Sequence, residues 1–390
     1  MALALSPQRE AAAQEVLQQV SVGLTVGLFV ATFLLTRQTQ LPLLEGLASV
    51  WALLLLLVCL RWTSLLPIVM PMLAYGLCSM LISLGAGRDP ATVIRFFVIT
   101  LGTLLAFHIR PARVSVSWAL LPVTLQAVAI ATVSVLLAVL QDPGLALTVR
   151  DYALDANWGD VYSFNGLYYR VQLIGNALLP LLFMISVWRW QRGRVYRVMA
   201  VLSLVGLIAA GNLTYFLIAA IGVMFAQGRR LWRRLAVRTL LILALPLMFM
   251  AAWGIVDEAV STKFEGSDSS MGVRFDQLDA AQREVGDAPL KLLLGTGLGA
   301  RFPDGQQRNY SQDRYIEMQW LYLSLQLGLL GSLIYGATLW LSAKQLLDTD
   351  GRCIFWLYML SGCTNPYILD SNQIVATLIL VCAFPRRAPS

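Results

Sequence analysis

The chain is a series of long apolar stretches separated by short polar segments. A helix that crosses a membrane needs roughly 20 apolar residues to span about 30 Å of hydrocarbon. Twelve stretches fit this pattern, at 20–35, 41–60, 65–84, 91–108, 116–140, 171–188, 198–210, 213–226, 236–256, 316–342, 353–367 and 368–384. The pattern therefore predicts an all-α polytopic bundle of about twelve transmembrane helices, forming one integral membrane domain over residues 1–390.

The stretches 198–210 and 213–226 could form one overlong helix or two helices joined at Gly211 and Asn212. Basic residues gather in cytoplasmic loops, and this bias sets the orientation of membrane helices. Both flanks of the pair carry arginines, at 189, 192, 194 and 197 on one side and at 229, 230, 233, 234 and 238 on the other. Both flanks therefore belong on the cytoplasmic side, which predicts a helical hairpin and, by counting outward, two cytoplasmic termini.

Composition supports a membrane protein and excludes several other classes. The chain is 58% hydrophobic and only 13% charged, far from the usual values of soluble domains. Its net charge of +7 comes from short clusters between apolar stretches, so we expect no nucleic-acid partner. The cysteines lie in apolar stretches and predict no disulfide framework or metal site. Because the first residues include Arg9, Glu10 and Glu15, we also expect no cleaved signal peptide.

Two longer segments, 142–169 and 257–315, fall on the external side in this topology. Connections of this length are uncommon unless they are functional or disordered. Both segments have the aromatic and glycine content of ordered structure. We expect the second to be partly helical, with a short helix at 273–283 lying against the membrane.

Ionisable side chains are nearly absent from the predicted spans, although such residues usually mark transport pathways. Arg95 lies one turn into its span near the outer face, and His108 ends the same span near the inner face. A lone histidine at that position is best explained as an interfacial residue with a satisfied hydrogen bond. The pattern therefore argues against an ion-coupled transporter, and we expect neither a metal nor a cofactor.

The external side is different because basic residues accumulate there, against the usual trend: Arg150, Arg170, Lys263, Arg274, Arg283, Lys291, Arg301, Arg308 and Arg314. The planar guanidinium group suits phosphate oxygens and keeps its charge, so an anionic partner is expected. Arg170 is predicted to open a helix and, with Gln172 and Asn176, to face a polar cleft. The alternative is an arginine whose charge merely reaches the interface from a helix end.

The stretch 316–342 begins with Glu317 at the outer surface. Leu321, Ser324, Gly328, Gly331 and Tyr335 follow at helical spacing and would form one face with small residues for close helix contact. Glu317 would then project toward the bundle. The alternative explanation is a glutamate that simply favours the positive end of a helix dipole.

Gly295, Gly297 and Gly299 resemble a phosphate-binding glycine loop only superficially, since neither a preceding strand nor a following lysine in register is present. A tight turn where the backbone approaches a neighbour is the better interpretation.

Several short motifs occur in a fixed order from Tyr169 to the C terminus. They are Gly-Val-Arg274-Phe, then Pro289-Leu-Lys-Leu-Leu-Leu-Gly-Thr-Gly-Leu-Gly299, then Glu317 followed by Gly328-Leu-Leu-Gly331, and finally Thr364-Asn365-Pro366. In this order and topology the chain resembles the bacterial O-antigen polymerase and O-antigen ligase superfamily of Wzy-type, GT-C-like membrane glycosyltransferases.

The resemblance implies a metal-independent enzyme at the periplasmic face of the bacterial inner membrane. It would transfer a glycan from an undecaprenyl diphosphate carrier to an acceptor sugar hydroxyl, with a flippase and a chain-length regulator as partners. Arg170 and Arg274 stand at positions expected to hold the diphosphate, assisted by Arg314, and Glu317 is the expected catalytic base. The expected cleft and acceptor residues are Tyr169, Gln172, Asn176, Tyr315 and Asn365.

The ligase branch of the superfamily typically has a histidine where this chain has Glu317. The sequence therefore favours a polymerase of O-antigen, capsule or exopolysaccharide repeat units over a ligase that transfers glycan to lipid A core. A lipid or polysaccharide transporter without enzymatic activity is the third hypothesis.

Overall fold

A computed structural model describes residues 26–32, 34, 62–109, 116–155, 159–164, 168–231, 270–286, 288–300, 318–363 and 370–386. The predicted spans at 41–60 and 236–256 lie outside these residues, and the one at 20–35 is described only in part.

The described residues are mostly helical. The helices are α1 Trp62–Gly85, α2 Pro90–Phe107, α3 Ser117–Leu140, α4 Pro143–Asp155, α5 Leu179–Trp188, α6 Arg194–Ala210, α7 Leu213–Leu231, α8 Ser270–Gly286, α9 Pro289–Leu294, α10 Gln319–Leu346, α11 Thr349–Leu360 and α12 Ser371–Ala383. The strands are β1 Gly159–Phe164 and β2 Tyr168–Leu173, and 3-10 turns cover Ile174–Leu178, Trp190–Arg192 and Ser361–Cys363.

Four of the described helices, α1, α2, α3 and α10, are long and apolar enough to cross a membrane. Each of these helices is packed against the bundle on one side and exposed on the other. Leu104 and Leu120 are fully buried between helices, whereas Ile82, Val139 and Leu333 are about 70% exposed. An apolar outer surface on an apolar core is typical of helices that contact lipid. The predictions of a mostly helical fold and of helices able to span a membrane are confirmed for the described residues, and the number of about twelve spans stays a prediction.

The prediction of an all-α fold is wrong at one place. β1 and β2 form an antiparallel hairpin in which Tyr162 faces Arg170. The expected helix at 171–188 therefore starts as a strand and becomes α-helical only at Leu179. The reason is an alternation in β2, where Tyr169 and Val171 are buried and their neighbours are less so, which is the period of a strand.

The pair α6 and α7 confirms the predicted break between two helices. Gly211 has φ 55°, a left-handed conformation that ends α6. The side-chain oxygen of Asn212 then accepts a hydrogen bond from the Thr214 N–H at the start of α7, at 3.0 Å. The predicted helix at 273–283 is likewise confirmed within α8, and its external position stays a prediction.

α10 is broken at Gly328, where φ is 68° and ψ is 178°. The predicted continuous face from Leu321 to Tyr335 is therefore wrong, because a helical face requires helical backbone at every residue. Gly331 is nevertheless a close-contact position, since a Cβ added there would lie 2.9 Å from Cζ of Tyr75 on α1. The break separates a short first half, 319–327, from a longer second half.

A break in a membrane helix frees carbonyl groups that need new donors. The Gly295–Gly299 segment supplies them: the Thr296 N–H donates to the Leu325 carbonyl at 2.7 Å, and the Gly297 N–H donates to the Gln326 carbonyl at 3.0 Å. The Tyr75 hydroxyl donates to the Leu327 carbonyl at 2.5 Å. The three glycines have φ of 84°, 90° and 71°. The predicted tight turn against a neighbouring backbone is confirmed.

α11 and α12 form a second irregular region. At about 1.5 Å per residue they measure roughly 18 and 20 Å, which is shorter than the hydrocarbon core. The start of α11 meets the end of α12, because the Asp348 N–H donates to the Phe384 carbonyl at 3.0 Å. The predicted span 368–384 contains α12, which begins at Ser371, where Asp370 accepts a hydrogen bond from the Asn372 N–H at 2.6 Å. The predicted span 353–367 starts too late, because α11 already begins at Thr349.

We predict that Gly328→Ala destabilises the protein by about 2 kcal/mol or more, because its backbone conformation strongly favours glycine. A Cβ there would also lie 2.5 Å from the carbonyl carbon of Leu294. The measurement is thermal unfolding in detergent micelles. Gly336→Ala is the matched control in the same helix, where a Cβ meets nothing within 4 Å. Equal unfolding temperatures for the two variants would contradict the proposed importance of the break.

Candidate functional site

The structure describes some of the predicted site residues and not others. Glu317, Arg314, Tyr315 and Asn365 lie outside the described residues, so their predicted roles stay predictions. The described ones are Tyr169, Arg170, Gln172, Asn176 and Arg274.

Arg170 lies on β2 instead of opening a helix. Its Nε donates to the carbonyl of Ala210, the last residue of α6, at 3.1 Å. The last carbonyl groups of a helix have no partner within the helix and carry partial negative charge, so a guanidinium group is well placed there. The guanidinium carbon also lies 5.6 Å from the centre of the Tyr162 ring. Arg170 therefore joins the hairpin to the end of α6, and its predicted contact with diphosphate stays a prediction.

A second arginine shares the same ring. The guanidinium carbon of Arg150 lies 5.6 Å from the Tyr162 ring centre, and its Nε contacts the Asp160 carboxylate at 2.9 Å. The hydrogen bond to Asp160 raises the pKa of Arg150. On the same hairpin, burial raises the pKa of Tyr168 to about 12, although the charge of Arg170 acts in the opposite direction. The Tyr168 hydroxyl stays protonated at neutral pH and donates to the Ile208 carbonyl.

Tyr169 and Asn176 are buried in the interior of the bundle. The Ser134 hydroxyl on α3 donates to the Tyr169 carbonyl at 2.6 Å. The Asn176 side-chain oxygen accepts from the Gln126 amide at 2.9 Å, and its amide donates to the Val171 carbonyl at 2.9 Å. These bonds hold the hairpin and the following 3-10 turn against α3. Gln172 is half-buried and pairs in register with Asp160. The predicted acceptor roles of all three residues stay predictions.

Arg274 lies on α8 and is half-buried. Farther along that helix, Ala281 and Val285 pack with Tyr322 and Leu325 of α10. The hairpin with Arg170 packs instead on α3 and α6. The two predicted diphosphate ligands thus belong to elements with different packing partners.

A small cleft of about 20 Å³, partly open to the outside, lies between α2, both halves of α10 and α12. Its lining residues are Phe96, Ile99, Thr100, Gln319, Tyr322, Leu323, Tyr335 and Gln373. The first half of α10 contributes the residues that directly follow the predicted base, since Gln319 is two positions after Glu317.

The lining of the cleft is mostly apolar and carries a few uncharged polar groups. Gln319 is 7% exposed and Gln373 is 1% exposed, and the Tyr335 hydroxyl donates to the Gln373 side-chain oxygen at 3.2 Å. Phe96 and Tyr322 meet edge to face with ring centres 5.3 Å apart. Amide and hydroxyl groups can both donate and accept hydrogen bonds, and a few of them on an apolar wall are typical of small-molecule sites. These groups suit the hydroxyl groups of an uncharged ligand. The space between them holds about one water molecule, so a sugar enters only if the side chains move apart.

The sequence interpretation missed this cleft because it considered ionisable residues and overlooked neutral polar ones. Glutamine inside an apolar helix is itself a signal, since an unsatisfied amide is costly in lipid. The role of Asp370 as the capping residue of α12 was also missed. Asp370 is 8% exposed and lies three residues before Gln373. The run Asp-Ser-Asn-Gln, with a capping residue at its head, indicates the start of a helix.

Comparison of the sequence with protein-family models and with curated proteins gives no match.

We predict that Asn176→Leu lowers the free energy of unfolding by about 1–3 kcal/mol, because it leaves the buried Gln126 amide without its acceptor. The double variant with Gln126→Leu should recover part of this loss. Chemical unfolding in micelles measures both. Gln191→Leu, at an exposed position, is the control. Strictly additive losses would show that the two amides do not act as a pair.

Proposed function

We propose that the protein is a polymerase of lipid-linked polysaccharide repeat units. It transfers a glycan from undecaprenyl diphosphate to an acceptor sugar hydroxyl at the periplasmic face of the bacterial inner membrane. The main support is the small cleft in which Gln319, Tyr335 and Gln373 place uncharged polar groups, beside the start of α10. The order of the sequence motifs adds to it.

Uncharged cleft residues bind the sugar, and arginines bind the diphosphate. In this proposal the cleft widens when the sugar enters. Its amides and its tyrosine hydroxyl then bind sugar hydroxyls, and the aromatic rings contact the apolar faces of the sugar. Arg170, Arg274 and Arg314 stabilise the diphosphate, whose negative charge increases as it leaves. The packing of α8 against the first half of α10 supports a role for Arg274 near the cleft.

The proposed reaction is a single displacement. The acceptor oxygen forms a bond to the anomeric carbon of the donor glycan, and the bond from that carbon to the diphosphate oxygen breaks. Glu317 accepts the proton of the acceptor hydroxyl, and undecaprenyl diphosphate leaves with the bonding electrons. The reaction needs no metal in this scheme.

The wider architecture is part of the proposal. We place about twelve spans in a GT-C-like arrangement with both termini in the cytoplasm. The break in α10 supports a functional site in this region, because irregular backbone at membrane depth is tolerated only where it is buried in protein or lines a cavity.

A specific observation also favours a second function, a lipid or polysaccharide transporter. Discontinuous helices line the substrate sites of many transporters, and this chain has the broken α10 beside the short helices α11 and α12. Reconstitution with a lipid-linked oligosaccharide distinguishes the two functions. Release of carrier diphosphate requires the enzyme, whereas movement across the bilayer without release favours the transporter. Reducing-end analysis of the product then separates a polymerase from a ligase that uses lipid A core.

We predict that Arg274→Ala and Glu317→Ala each reduce carrier release by at least 100-fold, in the range of losing one charge-stabilising or proton-accepting group. Gln373→Leu should raise the KM for the oligosaccharide by about tenfold, because it removes a sugar contact. Arg283→Ala and Asp279→Ala, both on α8, are controls that should retain activity. Full activity in Arg274→Ala and Glu317→Ala would refute the assignment of the site.

A further inference from the structure

Arg88 follows α1 and contacts a distant part of the chain. Its guanidinium group donates to three successive carbonyl oxygens, those of Thr296, of Gly297 at 2.8 Å and of Leu298 at 3.3 Å. Burial lowers the pKa of Arg88, and the charge of Glu284 opposes this shift. An arginine stays protonated under such conditions, so the group remains a charged donor.

The segment that Arg88 holds is the one that fills the break in α10. In addition to the backbone bonds at Leu325 and Gln326, the Gly299 N–H donates to the Gln326 side-chain oxygen at 2.9 Å. Leu298 is 2% exposed and lies beside Met72, Phe97 and Leu327. The segment is therefore fixed on one side by Arg88 and on the other by α10.

The first half of α10 depends on this arrangement. It is separated from the second half by the non-helical Gly328, so the helix axis alone does not fix its direction. The bonds at Leu325 and Gln326 help to fix it, together with Trp320 Nε1, which donates to the Met359 carbonyl at 2.8 Å. The same half carries Gln319 and Tyr322 into the cleft. A displacement of the Gly295–Gly299 segment would move these side chains.

We propose that Arg88 is a positioning residue: by holding the Gly295–Gly299 segment in the break of α10, it sets the position of Gln319 and Tyr322 in the cleft. The consequence for catalysis rests on the proposed function, whereas the mechanical part does not. Lysine is a poor substitute, because a single ammonium group lacks the planar fork that spans successive carbonyl oxygens.

Cysteine labelling tests the mechanical part in the full-length protein with its native cysteines replaced by alanine. Leu298→Cys reports on the segment and Gln319→Cys on the first half of α10, both buried positions. We expect Arg88→Met to increase the maleimide labelling rate at both positions by about tenfold or more. The reason is that losing the hydrogen bonds to one charged group makes local opening more frequent by about that factor. Arg88→Lys should be intermediate. Arg95→Met, an exposed cation on α2, is the control and should change neither rate.

Carrier release provides the second readout in the protein without reporter cysteines. A misplacement of about 1 Å costs up to 100-fold in rate, so Arg88→Met should lower kcat by at least tenfold. The KM should change by less than about threefold, because the lining groups are still present. Arg88→Lys should restore part of kcat.

The outcomes separate the two proposals. If Arg88→Met leaves labelling at both positions unchanged, the positioning role is refuted, and if that variant fails to fold, unchanged labelling in Arg88→Lys refutes it equally. Faster labelling only at Leu298→Cys refutes the link from the segment to α10. Faster labelling at both positions with no carrier release in the parent protein upholds the positioning of α10 and refutes the enzyme.

Discussion

The structure depends on one constraint: a backbone carbonyl in an apolar interior must have a hydrogen-bond donor. α10 violates helical geometry at Gly328, and its freed carbonyl groups are paired by the Gly295–Gly299 segment and by Tyr75. That segment is itself irregular, so its own carbonyl oxygens need donors, which Arg88 provides. The break, the turn and the arginine therefore satisfy one another's hydrogen-bonding groups.

Three polar groups of the cleft come from two interrupted regions of the bundle. The cleft takes Gln319 from before the break in α10, Tyr335 from after it, and Gln373 from the first turn of the short helix α12. A continuous helix hydrogen-bonds its own backbone and can present apolar side chains alone, whereas an interrupted one brings capping and amide groups with it. The cleft lies between these interrupted helices, and they contribute its amide groups.

Several arginines among the described residues bind backbone carbonyl groups of the chain itself. Arg88, Arg170 and Arg189 donate to carbonyl oxygens of the turn, of α6 and of α12, respectively. The excess of arginine on the external side predicted an anionic partner. A guanidinium group, however, pairs with the carbonyl groups at a helix end as readily as it pairs with a phosphate. Counting cations in the sequence could not separate these uses, because the carbonyl groups involved belong to residues far away in the chain. Arg170 is the clearest example, since Ala210 lies 40 residues away.

The sequence by itself determined the class of the protein, the break between α6 and α7, the helix α8 and the tight glycine turn. Each of these follows from local composition, from charge beside apolar stretches or from backbone conformations that favour glycine. Only the tertiary structure decided that β2 is a strand, that α10 is broken at Gly328 and that Gln319 and Gln373 share a cleft. These features depend on which distant groups pair with a given backbone or side chain, and the order of residues along the chain does not contain that pairing.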